Sequence, residues 1–303
     1  MLNVKSIISM FLLMLQMSYG EQQKTIAFAQ DTMANDFRKA QVHEVRDAVA
    51  KHSGLKFIYS DAEGHIALMI QQVETFIAQK VDLLIIGTSD YDAIVPVVSK
   101  AYESGIPVII LDRGIAGSNY TTFINSDNIK IGELAAVYIA KRLKGKGKVL
   151  IFEGLPNADV TRLRTKGFVK EISKYKEIEI IKRTGNYLRR DAIIEMEKLV
   201  KEKEHIDAIF SESDSMLSGV RSVLKRYGID PASIIMVGCD YTSEAQEAIR
   251  KGEQSGSVLF PLGGKEAVSV ALKILNGEEI AKHIVIPVML VTQENVNEVA
   301  PIF

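Results

Sequence analysis

The chain has 303 residues, a formal charge of −1 and one cysteine, Cys239. Near-neutral charge without a basic stripe excludes a surface built to neutralise a run of phosphates, so nucleic acid is not an expected partner. A single thiol excludes an internal disulfide framework, and the length suffices for one large domain or two ordinary ones.

At the N-terminus Lys5 precedes an apolar run from Ile7 to Met17, and Ser18, Tyr19 and Gly20 follow where a signal peptidase reads small residues. The run is shorter than the roughly 20 residues that span a bilayer, so residues 1–20 are expected to be a cleaved secretory signal. The leader holds no cysteine for a lipid anchor, and a freely diffusing periplasmic protein is the expected outcome.

Beyond it, strand-like runs at 25–29, 56–59, 82–86 and 108–111 alternate with amphipathic stretches at 37–52, 66–79 and 93–104. Right-handed crossovers of this kind lay helices on both faces of a parallel sheet. An extended piece at 121–125 leads into a helix at 129–143. A second series has strands at 149–152, 179–182, 208–210 and 234–237 between helices at 161–175, 190–203, 216–227 and 243–251. The tail adds a strand at 256–260, a helix at 264–275 and a strand at 285–291. The fold class is therefore α/β, with two doubly wound parallel-sheet domains joined by a multi-strand hinge. The expected bounds are 21–126 plus 260–286 for the first domain and 127–259 plus 287–303 for the second.

Ligands of open parallel sheets collect beyond the carboxyl ends of the strands. The run from Ile106 to Leu111 ends there in Asp112 and Arg113, and Asp31 and Asp240 likewise end apolar strands. Carboxylates accept and guanidinium forks donate, so with Arg38 these residues suit a molecule dense in hydroxyls. Phe37 and Tyr187, in strand-to-helix loops, either stack on a sugar ring or lie as lids over a domain edge. Glu212 and Asp214 resemble the paired acids of a glycoside hydrolase, but alternate residues of an extended segment point opposite ways. The histidines at 43, 52, 65, 205 and 283 lack metal-ligand spacing, and neither a metal nor a cofactor is expected. The glycine and lysine clusters at 145–148 and 263–265 read as turns rather than phosphate loops.

The leader, the two series and the strand ends together resemble the periplasmic sugar-binding proteins of ABC importers (type I periplasmic binding proteins), in particular those for ribose and galactofuranose. The residues that carry the resemblance are Ile109 to Arg113, Ser126 to Asn128, Arg162-Leu163-Arg164 ahead of Gly167 and Phe168, and Val237 to Asp240. It implies that Asp112, Arg113, Arg162 and Asp240 hydrogen-bond sugar hydroxyls, with Ser126 at the domain crossing and Asn35 and Phe37 in the first loop. Phe37-Arg38 is similar to the aromatic-arginine pair of the galactofuranose type. Gly87, Ser213 and Phe260 stand where the ribose type places amide side chains, and a site that has lost three amides is poorly matched to ribose. The function this implies is a non-enzymatic, monomeric receptor that closes around a sugar and delivers it to a membrane permease. The alternatives are a sensor that docks on a chemoreceptor or histidine kinase, and a glycoside-acting enzyme.

Overall fold

Strands buried on both faces must be apolar at successive positions, and the computed structural model, which describes residues 23–303, arranges such strands in two six-stranded sheets. The expected signal at 1–20 lies outside the described residues. The first series runs β1 (Lys24–Gln30), α1 (Asp36–Val49), β2 (Leu55–Asp61), α2 (Ile66–Ala78), β3 (Leu83–Gly87), α3 (Val95–Glu103), β4 (Val108–Leu111) and β5 (Thr122–Ser126). Next come α4 (Asn128–Arg142), β6 (Lys146–Glu153), α5 (Asp159–Ile172), β7 (Glu177–Thr184), α6 (Arg189–Lys201), β8 (Ala208–Ser211), α7 (Asp214–Arg226), β9 (Ile235–Asp240), α8 (Ser243–Arg250) and β10 (Gly256–Leu259). The described chain closes with α9 (Gly264–Leu275), β11 (His283–Ile286) and β12 (Met289–Thr292).

One sheet has the order β11-β5-β4-β3-β1-β2 and is parallel throughout. The other has the order β12-β10-β9-β8-β6-β7, parallel except for β12 against β10. Strand order reverses between β1 and β3 in one and between β6 and β8 in the other, which is where doubly wound sheets open a crevice. Side chains alternate with period two. Ala27, Leu84, Ile86, Val108 and Ile110 pack on one face of the first sheet, while Ile26, Phe28, Leu83, Ile109 and Leu111 pack on the other. Val149, Ile151, Phe210 and Val237 divide in the same way from Leu150, Phe152, Ile209 and Met236 in the second.

The sequence pattern predicts one terminal strand at 285–291, and the structure corrects this. Pro287 has no N–H for a ladder, and the strand breaks there into β11 and β12, which belong to different sheets. The chain therefore passes between the two sheets three times, after β5, after β10 and after β11. The helix α9 packs back against α1.

Two glycines set the pose of α5 against α4. A Cβ at Gly132 would lie 2.1 Å from the Arg164 carbonyl oxygen, and one at Gly167 would lie 2.1 Å from that of Ile129. Neither position admits a side chain unless the helices separate. The helix that carries Arg164 is thereby held close to the start of α4, beside the first crossing.

Candidate functional site

The carboxyl ends of both sheets meet around one cavity, lined by side chains from both series. Asn35, Phe37 and Arg38 come from the cap and first turn of α1, Asp112 and Arg113 from the loop after β4, and Val160, Arg164, Tyr187, Ser213, Asp240 and Phe260 from the second series.

Asn35 caps α1, accepting the Arg38 N–H at 3.2 Å, and its side-chain amide donates to the Tyr187 carbonyl at 2.7 Å. That second bond spans the cleft. Arg38, only 1% exposed, sets Nη2 2.7 Å from Asp112 Oδ2 and donates through Nη1 to Gln41 at 3.0 Å. Gln41 donates in turn to the Leu262 carbonyl at 2.7 Å, tying the pair to the second crossing. Arg113 donates to Asp31 Oδ2 at 3.0 Å, and Arg38 Nε lies 3.8 Å from Asp31 Oδ1. Burial and the Arg38 charge hold the Arg113 guanidinium below its ordinary range.

Across the cavity, Arg164 donates to Asn128 Oδ1 at 2.9 Å and to the Glu212 carbonyl at 2.6 Å, with its guanidinium 4.6 Å from the Phe260 ring centroid. Phe37 stacks on Phe260 with centroids 5.2 Å apart. The Tyr187 ring lies 5.3 Å from the Arg113 guanidinium, and its hydroxyl is 2.8 Å from Thr161 Oγ1. Burial pushes the Asp240 carboxyl well above its usual range, opposed by the Arg164 charge. Asp112, Tyr187 and Asp240 all have positive φ, at 71°, 60° and 110°. Three non-glycine residues in this costly region at one cavity are a concentration of the kind that marks binding sites.

Of the seven buried side-chain polar atoms without a hydrogen-bond partner among the described residues, five lie at or beside the site: Asp31 Oδ1, Asp112 Oδ1, Arg38 Nη2, Arg113 Nε and Ser126 Oγ. The Arg38 Nη2 contact with Asp112 is close but not aligned along an N–H, so Nη2 keeps a donor to give. Buried groups left in this state cost about 1–3 kcal/mol each, and a hydroxyl-bearing molecule would recover part of that.

Of the residues singled out from the sequence, Asn35, Phe37, Arg38, Asp112, Arg113, Tyr187, Ser213, Asp240 and Phe260 share the cavity wall. Phe37 and Tyr187 are 7% and 5% exposed, which removes the reading of external lids. Asp31 lies behind Arg113 and Arg38 rather than on the wall, and Ser126 is buried at the first crossing, also off the wall. Arg162 is the clear correction. It is exposed, and its guanidinium lies 5.6 Å from the Tyr91 ring centroid, away from the cavity. Arg164 holds the place expected of it. The two arginines are two residues apart on α5, about 200° around a helix, so only one can face inward. A signal was available: Val160, Arg164, Gly167, Phe168 and Ile172 form the buried stripe, and Arg162 falls outside it.

Glu212 and Asp214 do not face a common bond. Glu212 accepts the Gly154 N–H at 2.9 Å, whereas Asp214 accepts from Ser257, Tyr241 and Gln254 at 2.7, 2.7 and 2.9 Å. Burial raises both, Glu212 to about 7 and Asp214 to about 6. Among the described residues no group of three or more His, Cys, Asp or Glu is placed to hold a metal ion.

Residues 26–279 match the family model of the periplasmic binding protein domain. The chain is 32% identical over 279 residues to the ribose import binding protein of Bacillus subtilis, covering 91% of this chain and 90% of that one. A solved galactofuranose binding protein superposes with a TM-score of 0.86 at 26% identity, covering 91% of this chain and 96% of its own. The fructose binding periplasmic domain of a hybrid two component system superposes with a TM-score of 0.85 at 28% identity, covering 91% and 92%.

Proposed function

Because the chain belongs to the periplasmic binding protein family, we propose that it is a receptor that closes its two halves around one uncharged monosaccharide or related polyol and hands it to an ABC permease. The observation that carries this reading is the cavity in which carboxyl and guanidinium groups from both sheets converge with unpartnered buried donors and acceptors. A molecule touching both halves stabilises the closed form over the open one, and that difference is what a permease or sensor can read.

The charge pattern favours a neutral ligand. Arg38 faces Asp112, Arg113 faces Asp31, and Arg164 is held by Asn128 and the Glu212 carbonyl, so each guanidinium already has an acceptor. Hydroxyls complete such forks, whereas a carboxylate would meet Asp112 as well as the arginines. The Phe37 and Phe260 rings offer an apolar wall to a ring face. The role proposed is capture without conversion, as in the binding proteins the chain resembles, in the periplasm, where the secretory signal expected at residues 1–20 would send it. Delivery to a sensor is the second reading, favoured by the similarity to the two component system domain. It predicts the same ligand but binding to a sensor ectodomain instead of a permease.

The test is thermal unfolding of ligand-stripped protein against neutral pentoses, hexoses, furanosides and cyclic polyols. A cognate ligand at a hundredfold excess over its Kd adds about 2.7 kcal/mol of stability, readily visible as an upward shift in Tm. No shift across the whole panel contradicts the proposal.

A further inference from the structure

Closure here involves contacts that no ligand makes. At the start of α5, Asp159 Oδ2 accepts the Gly114 N–H at 2.9 Å, and Arg162 lies over the Tyr91 ring. Gly114 and Tyr91 belong to the loops after β4 and β3, and the Ala116 N–H ties those loops together by donating to the Tyr91 carbonyl at 2.8 Å. At the start of α1, just beyond the loop after β1, Asp36 accepts from Ser215 at 3.0 Å and lies 3.7 Å from Arg189 Nη2. Each of these contacts joins a residue of the first series to one of the second series. None of Asp36, Tyr91, Gly114, Asp159, Arg162 or Ser215 lines the cavity.

We propose that these contacts form a clasp that holds the closed form without ligand, and that Asp159 and Arg162 are its principal positioning residues. The inference rests on the reading of the protein as a closing receptor, but not on which molecule it takes. A ligand that needs the closed form binds with an apparent Kd equal to its intrinsic Kd divided by the closed fraction. The clasp raises that fraction, so it sets the affinity for every ligand by the same factor while touching none of them. This also accounts for Arg162, a charged side chain that lies outside the cavity yet spans the cleft. Burial raises the Asp159 carboxyl, with the Gly114 N–H opposing, as expected for a group shielded by closure.

Spin labels at Lys100→Cys and Lys166→Cys, both exposed and on opposite sides of the cleft, report the opening distance, since the native Cys239 is buried. The parent protein without ligand is expected to show a short-distance population coinciding with that of the ligand-bound form. Asp159→Ala with Arg162→Ala should move most of that population to longer distance. Arg162→Lys, which keeps a cation over the ring, should restore part of it. Affinity is read with whichever of D-ribose, D-fructose and D-galactose binds the parent, and should fall about five- to tenfold in the double variant, by the same factor for each. A purely structural lesion would lower the ligand-free Tm and would not lengthen the distance. Only long distances in the ligand-free parent overturn the proposal, as does an unchanged distribution in the double variant. If none of the three sugars binds, the reading of the ligand fails while the distance measurement still decides the clasp. If the double variant does not fold, the exposed Arg162→Ala alone decides it by the same distances.

Discussion

Glu212 is fully buried behind the Tyr187 ring, and its surroundings imply that it carries a proton near neutral pH. Thr165 Oγ1 lies 2.9 Å from Glu212 Oε1 and 2.9 Å from Glu153 Oε1. One hydroxyl has one hydrogen, so it can donate to only one of them, and both contacts are satisfied when Glu212 is protonated and donates to Thr165. Burial, opposed by the Gly154 N–H, the Arg164 charge and the Thr165 hydroxyl, raises Glu212 from 4.5 to about 7. At 1.36 kcal/mol per pH unit, this amounts to about 3 kcal/mol. The folded protein binds this proton more tightly than the unfolded chain, so the stabilisation is complete below about pH 4.5 and is lost as pH rises through about 7. Glu212→Gln keeps the shape and removes the titration. Urea unfolding of the ligand-free protein from about pH 4 to pH 8 should show a decline in the parent of which about 3 kcal/mol is absent in the variant. Asp214, raised to about 6, leaves a smaller decline at lower pH in both. Identical pH profiles for the two proteins would mean that Glu212 does not titrate in this range. A variant several kcal/mol weaker at pH 5, where Gln should stand in for a neutral acid, would mean that Glu212 is ionised there.

Arg164→Ala should cost roughly 2–5 kcal/mol of ligand binding by calorimetry, well beyond the effect of Arg162→Ala, because only Arg164 reaches the cavity. Comparable losses would return Arg162 to the site. Gly132→Ala sets a methyl group against the Arg164 carbonyl and the Phe168 N–H, both backbone, so α5 must move. It should lower stability by about 1–3 kcal/mol in thermal melts and weaken ligand binding, whereas an unchanged variant would mean that the helices have slack. Arg38→Phe leaves Asp112 buried without its partner and should destabilise the ligand-free protein by about 3–5 kcal/mol. A variant that keeps its stability and loses only affinity would show that Arg38 serves the ligand alone.

The fold was legible because two-sided burial writes itself as unbroken apolar runs, and Val108 to Leu111, Ile209 to Phe210 and Met236 to Val237 are of that kind. The last strand was less so. Pro287 lies within an apolar run, and only the two sheets competing for its halves decide that the break sends β11 and β12 apart. Residues at strand ends, such as Asp112, Arg113 and Asp240, could be placed at the site from topology alone, since the strand's direction fixes where its end lies. Arg164 could not be chosen from the motif that contains both arginines, because helical phase is a tertiary matter until the buried stripe is read through Gly167 and Phe168. The clasp was invisible for a related reason. Asp159 with Gly114, and Asp36 with Ser215, are distant in sequence and meet only when both sheets are in place.

One uncharged ring molecule is proposed to bridge both halves of this cavity. Titration calorimetry with D-galactose and the other neutral sugars of the panel, each beside its uronic or aldonic acid, tests it most directly. One site per chain is expected for a neutral member, with at least about a hundredfold weaker binding of the matching acid, equivalent to about 2.7 kcal/mol, because the added carboxylate would meet Asp112 in a cavity whose guanidinium groups already have acceptors. Tighter binding of the acid, or more than one site per chain, would contradict it.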